Sequence, residues 1–288
     1  MGVKIQTIKD IRIYLAKELI VIYKETEIRT ITDLLIKAVT GISKLHNLYD
    51  DTYEINIGMA EKIVNYAEEL KTGKPIQYVL GETQFYNCTI KLNSSTLIPR
   101  PETEELVDLI IKENKGYAGN IIDFGTGSGC IAIALAANLP FSVVTGVDIS
   151  EEALKVAHEN AVLNNVNVTF IKDDIFNFSQ KIVGKPGIIV SNPPYVRNSE
   201  KLLMSKNVLE FEPHLALFVT DSNPLIYYEA IVRLAEEFLL PGGHLYFEIN
   251  EMMGSSLISM LELFGYSDIE VVSDLNDKER IIKSRKNG

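Results

Sequence analysis

Little in this sequence would serve a metal centre or a disulfide framework: 288 residues include two cysteines and four histidines. Cys88 and Cys130 form no CxxC pair and the histidines fall at no metal-ligand spacing, so no metal site is expected and a reducing compartment suits the thiols. Basic residues are also the minority, 28 Lys+Arg against 39 Asp+Glu, for a net charge of −11. That balance opposes broad, sequence-independent binding to nucleic acid, which draws its affinity from Lys and Arg at phosphates. No segment approaches the roughly 20 consecutive apolar residues of a membrane span, and the opening MGVKIQTIKD lacks a signal-peptide core. A cytoplasmic protein without membrane attachment is the expectation. Phosphate loops of the GxxxxGK[ST] type, HExxH and the G-x-S-x-G nucleophile elbow are missing too. What the chain does have is a 46% apolar fraction with 23% charged residues, the composition of a globular protein with a full core.

Apolar residues from Lys4 to about Leu70 recur at helical spacing: Ile8, Ile11, Leu15, Leu19 and Ile22, then Leu34, Leu35, Ala38, Val39, Ile42 and Leu45, then Ile57, Ala60, Ile63, Val64 and Ala67. This predicts a small helical domain over 1–73, closed by Lys71-Thr72-Gly73-Lys74-Pro75. Ile76 to Gly81, Thr83 to Tyr86 and Thr89 to Leu92 read as short strands separated by turns, a β-linker over 74–98. Over 99–288 helices and strands alternate. Strands are expected at Asn120 to Phe124, Val143 to Ile149, Val168 to Lys172, Gly187 to Ser191, His244 to Ile249, Ile269 to Val272 and Arg280 to Ser284. The fold class is therefore α/β, a doubly wound and mainly parallel sheet whose ligands bind beyond the carboxyl ends of the strands.

The first of those strands runs into Asp123-Phe124-Gly125-Thr126-Gly127-Ser128-Gly129 and then into an Ala-rich helix. Glycines there let backbone N–H groups approach a ligand, and the helix N-terminus favours an anionic group. The dinucleotide fingerprint GxGxxG would want glycine at 130, which is Cys130, so S-adenosylmethionine fits better than a nicotinamide cofactor. A thiol at a helix N-terminus can become acidic, but Cys130 reads as a small buried residue. Asp148 ends the second strand, 148 − 129 = 19 residues past the last glycine, near the roughly 20 expected of a carboxylate gripping ribose hydroxyls. Ser150 is an equally good helix cap, which would leave Asp148 free for that task. The third strand ends in Asp173-Asp174-Ile175-Phe176, where a carboxylate is placed to accept an adenine amine and an apolar neighbour to cover the ring.

The fourth strand is wholly apolar and ends in Ser191-Asn192-Pro193-Pro194-Tyr195. Proline lacks an N–H and holds its predecessor extended, so Asn192 and Pro193 present oriented acceptors at a rigid corner. The Asn192 oxygen and the Pro193 carbonyl can each take one hydrogen of an NH2 group, and Tyr195 can stack on that flat group. An amide nitrogen is a poor nucleophile, so positioning must do most of the work, and good orientation supplies roughly 7 to 11 kcal/mol.

With these residues quoted, the chain resembles the HemK/PrmC family, the N5-glutamine methyltransferases of peptide chain release factors. The resemblance runs through Pro75-Ile76-Gln77-Tyr78 with Gly81, Leu97-Ile98-Pro99-Arg100-Pro101-Glu102-Thr103-Glu104, Asp123 to Gly129, Asn192 to Tyr195, Phe211-Glu212-Pro213 and Glu279-Arg280. It implies a Rossmann-like class I methyltransferase domain, a β-hairpin linker and an N-terminal helical domain that helps hold a class 1 release factor. S-adenosylmethionine would be held by Asp123, Gly125, Thr126, Gly127, Ser128, Gly129, Asp148, Asp174, Ile175 and Asn192. The glutamine of a GGQ loop would be held by Asn192, Pro193, Pro194 and Tyr195, bordered by Arg100 and Glu102, with Asn192, Pro193 and Tyr195 catalytic. Asn250 and Met253 depart from the family's usual glycine and glutamine. Competing readings are an adenine-N6 or guanine-N2 methyltransferase, a ribosomal-protein glutamine methyltransferase and a non-catalytic cofactor-binding scaffold; net charge opposes the first, and an intact NPPY the last.

Overall fold

The computed structural model describes residues 5–42, 51–179 and 184–288. The helical readings of Lys4 and Leu45 lie outside the described residues. Contacts divide the chain into two compact units: residues 1–81 with 205–211, and residues 82–204 with 212–288.

The first unit is helical. Helix α1 (Ile8–Leu19) starts at a capping box, in which the Thr7 hydroxyl accepts from Asp10 N at 3.2 Å while the Asp10 carboxylate accepts from Thr7 N at 3.0 Å. Helices α2 (Glu25–Thr40) and α3 (Ile57–Lys71) follow, and the 3.6-residue period closes over one core containing Ile11, Leu15, Leu35, Ile36, Ile63 and Leu70. Residues 76–81 depart from the strand expectation: Ile76–Leu80 is a helical turn, α4. Pro75 accepts from the N–H groups of Tyr78 and Val79, both at 3.0 Å, and Gly81 ends the turn in the left-handed region at φ 74°. A five-residue apolar run has no resolvable period, so the flanking Pro and Gly decide it as helix punctuation.

The second unit opens with a hairpin, β1 (Glu82–Phe85) and β2 (Cys88–Lys91). Helix α5 (Pro101–Glu113) has proline in its first turn, where no N–H is needed, and Glu102 and Glu104 at its positive end. Then come β3 (Asn120–Phe124), α6 (Cys130–Asn138), β4 (Val143–Asp148), α7 (Glu151–Leu163), β5 (Val168–Lys172) and β6 (Pro186–Ser191). A short parallel pair, β7 (Val196–Arg197) and β8 (Phe218–Val219), brackets an excursion that includes α8 (Lys206–Phe211) of the first unit. The chain ends with α9 (Ile226–Phe238), β9 (His244–Glu248), α10 (Gly254–Leu263), β10 (Tyr266–Ser273) and β11 (Glu279–Lys286).

Seven strands form one sheet in the order β10-β11-β9-β6-β3-β4-β5. The five strands from β9 to the β5 edge are parallel, and β11 and β10 extend the sheet antiparallel beside β9. The chain builds outward from β3 through β4 to β5, then returns to the other side of β3 with β6 and β9. Strand direction of winding therefore reverses at β3, and loops leaving β3 and β6 diverge there to leave a crevice. Every residue of β6 is buried, as befits a central parallel strand covered on both faces.

Candidate active site

At that crevice lies a cavity of about 440 Å³, a size suited to a nucleoside-like ligand. Its wall is made by the segments after four successive strands: Gly125 and Gly127 after β3, Asp148 to Ser150 at β4, Asp173 to Phe176 after β5, and Ser191 to Pro194 at β6. Leu97, Leu215 and Tyr227 contribute apolar surface. Asp148, Glu152, Asp173 and Asp174 also line it, and among the described residues no Lys, Arg or His does. The cavity is thus apolar with an acidic rim, suited to a ligand carrying positive charge.

The glycine loop has two sides. Gly127 adopts φ +55°, and the place where a Cβ would stand is bounded only by the Gly125 carbonyl at 4.0 Å, so a ligand can lie against bare backbone. Gly129 faces inward at φ +81°, where a Cβ would meet Ala157, Ile133 and Phe170 between 3.1 and 3.2 Å. Thr126 and Ser128 are likewise buried under the loop and do not line the cavity. Of the residues expected to touch a cofactor, Gly125, Gly127, Asp148, Asp174, Ile175 and Asn192 line the cavity, whereas Asp123, Thr126, Ser128 and Gly129 build the support beneath it.

Asp123 shows what that support does. It is fully buried at the end of β3 and accepts from the Thr126 hydroxyl at 2.6 Å, pinning the loop from below. Burial, and secondarily the neighbouring Asp148, push its carboxyl up to about 7. An acid whose folded pKa is raised holds its proton in the folded state while the unfolded chain has lost its own. Stability should therefore fall as pH rises from the ordinary carboxyl value of 3.8 to about 7, by on the order of 4 kcal/mol, and level off above that. Asp123→Asn should flatten this slope while keeping an acceptor for Thr126, which thermal unfolding at pH 5 and pH 8 will read. An unchanged slope would show that Asp123 is not its source.

Asp148 is less free than the cap argument allowed. Ser150 does cap α7, accepting from Ala153 N at 3.1 Å, yet Asp148 accepts from Gly127 N at 2.8 Å and from Ser150 N at 2.9 Å. Each carboxylate oxygen keeps lone-pair capacity toward the cavity while the backbone fixes its position. Burial raises its pKa, and these two N–H groups partly offset the rise. Asp174 is engaged similarly, accepting from Phe176 N at 2.9 Å and from Asn177 Nδ2 at 3.1 Å. The Cys130 thiol, at the start of α6, is pushed up to about 12 by burial, so it is an inert packing residue despite its helix N-terminus.

At the end of β6, Ser191 donates to Phe124 O at 2.6 Å and ties the NPPY segment to the glycine loop. Asn192, Pro193 and Pro194 line the cavity. Tyr195 does not: its ring packs on the sheet core, and its hydroxyl donates to Glu248 Oε1 at 3.0 Å. Glu248, at the end of β9, also accepts from Thr103 at 2.6 Å, and Asn192 Nδ2 donates to the same Thr103 hydroxyl at 3.2 Å. Arg100 is turned away from the cavity toward buried Glu212, 2.5 Å away, while Glu212 Oε2 accepts from Ile98 N at 3.2 Å. That clamp fastens the segment carrying Leu97 and explains why Phe211-Glu212-Pro213 accompanies it. Glu102 is half-buried in the first turn of α5 and does not line the cavity. Asn250 fits beside the site, its Nδ2 within 3.3 Å of Glu200 and 3.5 Å of Tyr195 O, and Met253 is a buried cap of α10.

Thr103, Glu248, Glu212, Phe176 and Tyr227 are site residues the sequence reading did not assign. For Glu248 a signal existed, since it ends an apolar strand just as Asp148 does. Tyr227, whose ring lies 5.2 Å from that of Phe176, sits within a helix and carries no such mark.

Comparison with known proteins accords with this arrangement. The family profile described as Methyltransferase small domain matches residues 102–212. The chain is 42% identical, over 96% of its length and 98% of the relative's, to the release factor glutamine methyltransferase of Flavobacterium psychrophilum. It is 41% identical, over 95% and 98%, to that of Bacteroides thetaiotaomicron. Among solved structures, a methyltransferase from Pyrococcus furiosus superposes with a TM-score of 0.51 at 16% identity, over 80% of this chain and 99% of that one, a likeness of fold. With a parallel sheet reversing at β3, a glycine loop on one side of the crevice and NPPY on the other, and near-full-length kinship above 40% identity, the chain belongs to the release factor glutamine methyltransferase family.

Proposed function

We propose that this protein transfers a methyl group from S-adenosylmethionine to the side-chain amide nitrogen, N5, of the glutamine in the GGQ loop of class 1 peptide chain release factors. The observation that carries this reading is that Asn192, Pro193 and Pro194 line the same cavity as Gly125 and Gly127. S-adenosylmethionine, when bound, supplies an electrophilic methyl group on a cationic sulfonium. Every other contribution belongs to the chain. Gly127 offers bare backbone to the amino-acid end, Asp148 faces the ribose, and Asp174, Ile175 and Phe176 face the adenine. The acidic rim attracts a cation, and among the described residues no basic group lines the cavity to oppose it.

On the acceptor side, Asn192 Oδ1 and the Pro193 carbonyl take the two amide hydrogens and aim the nitrogen across the cavity. Restriction of the acceptor to that pose takes the place of prior deprotonation, which an amide nitrogen does not permit at neutral pH; as the N–C bond forms and the methyl–sulfur bond breaks, the nitrogen becomes acidic and releases one of its two hydrogens as a proton to water. A glutamine flanked by glycines enters a narrow crevice easily but makes few contacts of its own, so whole-protein affinity needs a second surface. We assign that surface to the helical unit. The interleaving of residues 205–211 with that unit rules out a clean deletion at Lys74, because part of the unit would remain behind.

The test uses the intact enzyme with labelled cofactor and compares acceptors. Intact release factor should be methylated at a KM about tenfold or more below that of a short glycine-flanked glutamine peptide, whose affinity must come from its own few contacts. Labelling of adenine in DNA or RNA with an unmodified release factor would replace this reading by base methylation. Equal KM for protein and peptide would remove the helical unit from recognition.

A further inference from the structure

The helix that begins at Pro101 places Thr103, 2% exposed, between the NPPY segment and the end of β9. A threonine hydroxyl has one hydrogen. Here it is committed to Glu248, a carboxylate 1% exposed whose other oxygen is taken by the Tyr195 hydroxyl. Burial raises the Glu248 pKa, and the two hydroxyl donors and the charge of Arg280 partly offset the rise; with the carboxylate ionised it offers acceptors only, and both hydroxyls donate to it. Toward Asn192 the Thr103 oxygen can then only accept, and the Asn192 atom facing it at 3.2 Å must be the NH2 group. That choice leaves Asn192 Oδ1 on the opposite side. The two ends of an asparagine amide are almost the same size, so shape alone does not choose between them; hydrogen bonding must. With the reverse orientation, Asn192 would present N–H groups to an acceptor NH2, and donors would face donors.

We propose that Thr103 and Glu248 are positioning residues that fix the polarity of the Asn192 amide, so that its oxygen rather than its nitrogen is offered to the acceptor NH2. The inference rests on the release-factor reading for its kinetic consequence but not for the orientation itself. It gives a use to the buried carboxylate at the end of β9 and to the hydroxyl at the third residue of α5.

Thr103→Val keeps the shape and removes the hydroxyl. The Asn192 NH2 then loses its partner and gains by turning toward the wet cavity, so turnover on release factor should fall roughly 5- to 100-fold as the competent orientation becomes the minor one. Cofactor affinity should stay within about twofold, because nothing on that side of the cavity has changed. Thr103→Ser restores the hydroxyl and should recover turnover to within about threefold. Glu248→Gln still has an oxygen for Thr103, and its NH2 can donate to the Tyr195 oxygen, so it should be mild, whereas Glu248→Leu should resemble Thr103→Val. The substrate-free readout is the Asn192 side-chain NH2 signal in 15N-correlated NMR, assigned by its loss in Asn192→Asp, which should move in Thr103→Val and return in Thr103→Ser. Full turnover in Thr103→Val, an unmoved NH2 signal, or equal impairment of the Val and Ser variants with lost cofactor binding would overturn the inference. If the wild-type enzyme leaves release-factor glutamine unmodified, the functional reading fails by itself and the NH2 signal still decides the orientation.

Discussion

Replacing Asn192 by alanine should leave a folded protein that binds its cofactor and transfers almost no methyl. Asn192 sits at the carboxyl end of a strand whose every residue is buried, so the side chain can be removed without disturbing the strand beneath it. Its amide is held at one end by Thr103, and only the other end is left for an incoming NH2. Removing one preorganised polar group of this kind costs about 10²- to 10³-fold in turnover, because the interaction is worth most when the acceptor is aligned for transfer. Cofactor affinity, which the proposal assigns mainly to Gly127, Asp148 and Asp174, should change by no more than a few fold. A kcat that falls with cofactor affinity preserved identifies a group acting on the reacting nitrogen. Near-wild-type turnover in a folded Asn192→Ala protein would remove it from the mechanism.

Asp148→Ala should show the converse pattern. Asp148 holds Gly127 N and Ser150 N and keeps acceptor capacity toward the cavity, so its loss deprives the ligand of a partner and the loop of an anchor. Hydrogen bonds to a charged group contribute about 1.5 to 3 kcal/mol, which corresponds to roughly a 10- to 150-fold loss of cofactor affinity. Turnover at saturating cofactor should recover much of the wild-type value, since the acceptor side is untouched. Calorimetry reads the affinity directly. Unchanged affinity in a folded variant would show that Asp148 serves only the backbone.

The parts of this site that were legible in the sequence are those where chemistry follows from position along the chain. Strand-end polar residues in an α/β sheet point into the crevice, so Asp148, Asp174 and Asn192 could be placed from the alternation of elements alone. The glycine loop was legible as a loop, but not which of its residues face the ligand: period and spacing do not reveal that Thr126 and Ser128 turn inward while Gly125 and Gly127 face out. Residues 76–81 misled because a short apolar run is compatible with either a strand or a buried turn of helix. Thr103, Glu248 and Glu212 were hidden for a different reason. Their partners lie 53 to 145 residues away, in contacts set by the register of β6 against β9 and by the path of the segment before α5. Motif resemblance marked Thr103 and Glu212 without giving them work. The structure shows one holding the Asn192 amide and the other clamping Arg100 and Ile98.

Tyr195 illustrates how burial changes a role. A tyrosine after two prolines reads as a stacking platform, yet this one is packed into the sheet core with its hydroxyl on Glu248, and that carboxylate lifts its pKa further above the value set by burial. Its contribution to the acceptor site therefore runs through the same carboxylate that orders Thr103.

The central claim is the identity of the modified atom, and mass spectrometry of a release factor incubated with the enzyme and S-adenosylmethionine tests it most directly. The account predicts one added methyl group on the glycine-flanked glutamine, with fragment ions placing it on the side-chain nitrogen and no methyl on lysine or on the chain end. An unmodified glutamine after complete reaction, with methyl found instead on a lysine, a chain end or a nucleic-acid base in the same mixture, would contradict it.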